Sequence, residues 1–155
     1  MSAYVELPLE SSHRLINHGP VVLVSTKDAE RHYDIAPIAW CCPVLKDPPR
    51  LAVVIGKSHK TYHNIFASKQ FIVVIPHADQ VEMVRQSGSV SGSEQEKFAH
   101  FDIDNFHGEK VDARIPDGCV GYLECNLNDS SDQDKTEIIT ANVVYAAAKT
   151  DAFDQ

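Results

Sequence analysis

Residues 51–75 read LAVVIGKSHKTYHNIFASKQFIVVI, two apolar runs on either side of a short polar turn and a helical stretch. Leu51 to Ile55 is β-branched, apolar and too short for a helix, so it reads as a buried strand. Phe71 to Ile75, stopped by Pro76, reads as another. Between them Thr61 stands as the expected N-cap of a helix that sets Tyr62, Ile65 and Phe66 on one face. Lys57, Ser58, His59 and Lys60 lie just ahead of that cap. Free backbone N–H groups, a hydroxyl and two ammonium groups would meet there, which suits a phosphate. A plain capped helix with solvated lysines is the competing reading.

Working outward, Val21 to Thr26 reads as a strand behind the Gly19-Pro20 break, and Lys27 to His32 as a charged hairpin connection. Tyr33 to Trp40 reads as the next strand, with Pro37 placing it at an edge or a bulge because proline has no N–H for a ladder. Lys46-Asp47-Pro48-Pro49 forces a turn. Past Pro76, Asp79 to Gln86 suits a short helix capped by Asp79, and Gly88 to Ser93 a flexible polar loop. Ser91 or Ser93 would cap a helix from Glu94 to Phe98. Residues 100–115 show no clear period. Val120 to Leu127 reads as a strand, Asn128 to Lys135 as an acidic loop, and Glu137 to Ala148 as a long last strand. About six strands with short helices and no regular βαβ alternation favour a mainly β, antiparallel barrel or sandwich in one domain spanning 1–155.

A chain of 155 residues is long enough to bury a substantial core. Its formal charge of −8 argues against a nucleic-acid partner, which needs a broad basic face. Sixteen of the 22 acidic residues lie from Asp79 onward, whereas Lys46 to Lys69 holds five basic residues and the single acid Asp47. That imbalance points to a local anion site on an acidic body. No apolar run reaches membrane-spanning length and no charged-then-apolar leader opens the chain. Cys41, Cys42, Cys119 and Cys125 form no C-x-x-C pattern, so reduced thiols in a cytoplasmic protein are expected.

Several machines are unsupported. Gly56-Lys57-Ser58 resembles the end of a P-loop, but Leu51 stands where that motif needs glycine. There is no G-x-G-x-x-G and no G-x-S-x-G. His59 and His63 are four apart, yet the expected helix start at Thr61 separates them and no third metal ligand is evident. Asp129, Asp132, Asp134 and Glu137 share only the composition of a calcium loop.

Taken in order, these segments resemble the flavin reductase-like, FMN-binding split-barrel family, in particular its flavoredoxin-type branch. The resemblance rests on residues 19–26 (GPVVLVST), 35–40 (IAPIAW), Pro48-Pro49 with its strand, 60–65 (KTYHNI), Phe71-Ile72-Val73-Val74, and Ser91-Gly92 leading to Lys97-Phe98. It covers residues 14–98 and thins beyond Phe98. It implies a Greek-key split barrel, a homodimer, and FMN near the subunit interface. Ala36, Pro37, Ile38, Ala39, Trp40, Cys41 and Cys42 would then line the flavin ring, Ser58, His59, Lys60 and Thr61 would hold the phosphate, and Asn64 and Lys97 would complete the cofactor site. FMN would carry the redox chemistry between NAD(P)H and a small-molecule or protein acceptor, so no catalytic side chain is expected. An electron carrier without nicotinamide activity, and a module whose flavin site has decayed, are the alternatives. Two departures stand out: Asp34 replaces the asparagine common in the family, and relatives continue with further structure after the last strand.

Overall fold

The computed structural model describes residues 19–152, with Pro8 and Leu15. Apolar alternation builds the sheet from its middle. β1 (Val22–Lys27) sends Val22 and Val24 into one buried cluster and Leu23 into another, and β5 (Gln70–Ile75) divides Phe71 and Val73 from Ile72 and Val74 in the same way. Both faces of these strands are therefore covered, which is why they read as continuous apolar runs rather than alternating ones.

Around them lie β2 (Tyr33–Ile38), β3 (Cys41–Leu45), β4 (Arg50–Gly56), β8 (Gly121–Gln133) and β9 (Thr136–Ala148). They form one seven-stranded sheet in the order β2-β1-β5-β8-β9-β4-β3. Every pairing in it is antiparallel. β2 and β3 are separated by two residues in sequence yet occupy opposite ends of that order. A flat sheet cannot satisfy this, so the sheet curls to let residues 39 and 40 carry the chain from one end to the other, and Val54 on β4 donates to the carbonyl of Trp40 at 2.9 Å, extending the β3–β4 ladder into that crossover. The interior holds Val24, Leu51, Val53, Ile55, Phe71 and Ile139 together with Ile65 from α1 (Lys60–Ser68). Burying one such side chain contributes about 2 kcal/mol. The second cluster is roofed by α3 (Lys97–His100) and by residues 103–119, which carry the small ribbon of β6 (Asn105–His107) and β7 (Arg114–Pro116). The fold is a mainly β, antiparallel split barrel with short helices.

Several local expectations change. The strand expected over 33–40 ends at Ile38, and β3 begins after the crossover. Pro37 does lie on an end strand of the sheet. Residues 128–133 are strand rather than acidic loop: their exposure hid them, because main-chain pairing with β9 needs no apolar side chains, and the turn is confined to Asp134 and Lys135. Thr61 is not the N-cap; α1 starts at Lys60, with His59 in the cap position, and Thr61 is buried inside the first turn. Asp79 is not a cap either. It sits in a 3₁₀ turn (Ala78–Gln80) whose cap is His77, and α2 follows as Val81–Ser89, taking in Gly88 from the expected loop. α3 begins at Lys97 and is capped by the Glu96 carboxylate, which accepts from Ala99 N–H at 2.8 Å, not by a serine.

Candidate functional site

A cleft of about 350 Å³ opens where β2, the start of α1 and the end of α2 converge. Its floor is Asp34, Ala36 and Pro37 on β2. One wall is Ser58, His59, Lys60 and Thr61, and the other runs from Ser87 to Gly92; Lys97 closes it from α3. Tyr62 N–H donates to the carbonyl of the cap residue His59 at 3.1 Å, while the N–H groups of Lys60 and Thr61 have no acceptor within the helix, so the N-terminus of α1 presents donors to the cleft. Glycines set how closely the walls approach. A Cβ on Gly88 would lie 2.8 Å from Pro37 Cγ, and one on Gly92 would lie 2.3 Å from Asp34 Oδ1.

The charges do not lie as the sequence implies. Lys57 points away and pairs with Asp132 and Glu137 on the β8–β9 hairpin, at 2.8 and 3.5 Å. Lys60 Nζ reaches Asp28 Oδ2 at 3.0 Å and donates to the Gly92 carbonyl at 3.1 Å, tying α1 to the opposite wall. Burial pushes the Asp28 carboxyl up, but hydrogen bonds from His32 N–H and the Lys60 ammonium outweigh it and hold the group at about 2. Lys97 Nζ is buried, donates to the Ile35 carbonyl at 2.7 Å, and lies 3.2 Å from Asp34 Oδ1. That oxygen has no aligned hydrogen-bond donor, which leaves a buried acceptor only partly compensated. Each lysine beside the cleft thus already faces a carboxylate.

Seven of the expected site residues, Ala36, Pro37, Ser58, His59, Lys60, Thr61 and Lys97, meet in this cleft. Ile38 is buried in the barrel interior, while Ala39, Trp40, Cys41 and Cys42 form the crossover from β2 into β3, outside the cleft lining. Asn64 is buried and its amide donates to Thr26 Oγ1 at 3.0 Å, joining α1 to β1. Burial pushes the Cys41 thiol up, which disfavours its thiolate. Sequence reading did not place Ser87, Ser89 and Val90 here; the run of small residues from Ser87 to Ser93 was the available signal.

The family model described as flavin reductase like domain matches residues 14–155, continuing past Phe98 where the motif resemblance thins. The chain belongs to the flavin reductase-like family. Among relatives of this family, the uncharacterized protein YddH of Escherichia coli (strain K12) is 33% identical over 156 residues, covering 99% of this chain and 82% of its own length. The FMN-binding domain of a flavin reductases-like enzyme from Shewanella baltica OS155 superposes with a TM-score of 0.79 at 29% identity, over 97% of this chain and 80% of that one. Flavoredoxin from Methanosarcina acetivorans gives a TM-score of 0.87 at 22% identity, over 99% and 80%, a likeness of fold. The lining of the cleft suits a bound flavin. The cleft has the size of a cofactor site, donors at a helix N-terminus, small residues that let backbone come close, and a buried acceptor in need of a donor.

Proposed function

We propose that this chain binds FMN with its phosphate end in the cleft and passes electrons from NAD(P)H to a small acceptor. The observation that carries this is the convergence of the α1 N-terminus and the Ser87–Gly92 wall on one cleft of cofactor size, in a chain of this family. Ser58 and the first turn of α1 hold the phosphate; Lys60 fixes the spacing of the two walls through the Gly92 carbonyl. Residues 39–42 lie beyond the floor and provide the surface for the ring. Bound there, FMN supplies the carrier chemistry between donor and acceptor. The protein's part is to orient it and exclude water, so no side chain need act as acid or base.

A homodimer belongs to this proposal. Trp40, Val44 and Leu45, beside or on the end strand β3, are exposed at 44%, 50% and 44%, an apolar surface that a second copy would cover. A cytoplasmic setting is supported by four cysteines that form no disulfide. No helix among the described residues is long and apolar enough to cross a membrane.

The test is a titration of the purified chain with FMN, followed by addition of NADH or NADPH without oxygen. Uptake at micromolar concentration and bleaching of the yellow flavin colour are expected. Uptake without bleaching would leave an electron carrier; no uptake would remove both readings. Lys60→Ala with Thr61→Ala should weaken FMN binding by about tenfold, and undiminished affinity would remove the phosphate assignment.

A further inference from the structure

Asp34 is 2% exposed and Lys97 3%, and they face each other at the floor of the cleft. The Lys97 ammonium also donates to the Ile35 carbonyl, so it is held toward β2 rather than into the open space. Gly92 lies over the carboxylate so closely that no side chain fits between them. On the opposite wall Lys60 stands in the same relation to Asp28, whose carboxyl is ionised at any pH near neutral. The two lysines and their two carboxylates cancel. What remains for a ligand on these walls is largely neutral: first-turn N–H groups and the hydroxyls of Ser58, Ser89 and Ser91. Neutral donors serve a hydroxyl and a phosphate alike, whereas selection for a dianion depends on unpaired positive charge.

We propose that Asp34 is a specificity-determining residue: by claiming Lys97, its carboxylate removes the charge that would favour a phosphorylated flavin, so the chain takes riboflavin and FMN with little discrimination. This rests on the flavin reading of the cleft and narrows it to the class of flavin accepted. The ring and the ribityl chain, common to both ligands, carry most of the affinity. The phosphate adds only what the helix N-terminus and hydroxyls provide. The buried orientation of Lys97 explains why one carboxylate suffices, since an ammonium with a carbonyl and a carboxylate beside it has little left to offer a ligand.

Quenching of flavin fluorescence, titrated on the full chain with FMN and with riboflavin, tests this. The two dissociation constants of the wild-type chain are expected within about tenfold of each other, about 1.4 kcal/mol. A preference for FMN of about a hundredfold or more overturns the proposal. Asp34→Asn keeps the shape and removes the charge; whatever it does to contacts shared by both ligands, it should shift the ratio of the two dissociation constants toward FMN by roughly tenfold. Equal movement of both ligands, or of neither, overturns the proposal while leaving flavin binding intact. Binding of neither flavin by the wild-type chain refutes the flavin reading itself, and this proposal with it. Should the variant fail to fold, the wild-type ratio still decides.

Discussion

The Glu124 carboxylate is wholly buried on β8. Its partners are main-chain donors: Glu109 N–H to Oε1 at 2.7 Å, and Lys110 and Val111 N–H to Oε2 at 2.6 and 2.7 Å. One side chain therefore stands in for a stretch of ladder and pins residues 109–111 onto the barrel. Gly108 belongs to the same junction, because a Cβ there would meet the Val111 carbonyl at 2.5 Å. Glu124→Gln would place an amide N–H against backbone N–H groups. Its expected cost is about 2–3 kcal/mol, read as a lower midpoint in urea with an unchanged slope. A midpoint equal to that of the wild-type chain would show that the loop holds without the charge.

At the scale of elements, the β1–β2 connection links strand geometry to the cleft. Asp28 accepts from Glu30 N–H at 2.9 Å and His32 N–H at 2.8 Å, closing a turn in which Arg31 takes a φ of 73°. The same carboxylate faces Lys60 on α1. Its carboxyl titrates at about 2 in the folded chain against an ordinary 3.8. A folded value below the unfolded one means that the stabilisation is full above about pH 4 and is lost as pH falls toward about 2. Asp28→Asn is expected to lower the melting temperature at neutral pH and to flatten the acid limb between those values. Melting curves of both chains from neutral to acid pH check this, and an unaltered acid limb would show that Asp28 does not govern it.

At the scale of the molecule, β3 pairs on one side only among the described residues, with β4. Strand ends of this kind recruit another chain unless they are blunted, and Val44 and Leu45 do not blunt this one. Sedimentation of the wild-type chain at micromolar concentration is expected to give a dimer, and Val44→Lys with Leu45→Glu a monomer. A wild-type monomer at those concentrations would refute the homodimer. Loss of flavin affinity in the monomeric variant would place the ring at that surface.

Much of this was legible in the sequence. The buried strands at 51–55 and 71–75 and the helix between them follow from local pattern, because apolar runs bounded by Gly, Pro and polar turns admit few structures. The ordered motifs pointed to the family, and composition marked the lysine-bearing segment as unusual. The caps escaped that reading, since Thr61, Asp79 and Ser93 are all good capping residues and only packing decides which residue occupies the position. So did the strand over residues 128–133, whose side chains are polar because they face water. Above all, the sequence shows lysines but not their partners. Asp28 lies 32 residues from Lys60 and Asp34 lies 63 from Lys97, and only the packing of α1 and α3 against the sheet brings each carboxylate to its ammonium. The chain's own order of residues determined that a helix N-terminus would stand at Gly56–Ile65; the tertiary structure decided that the charge beside it would be cancelled, because pairing across a curled sheet depends on distance in space and not along the chain.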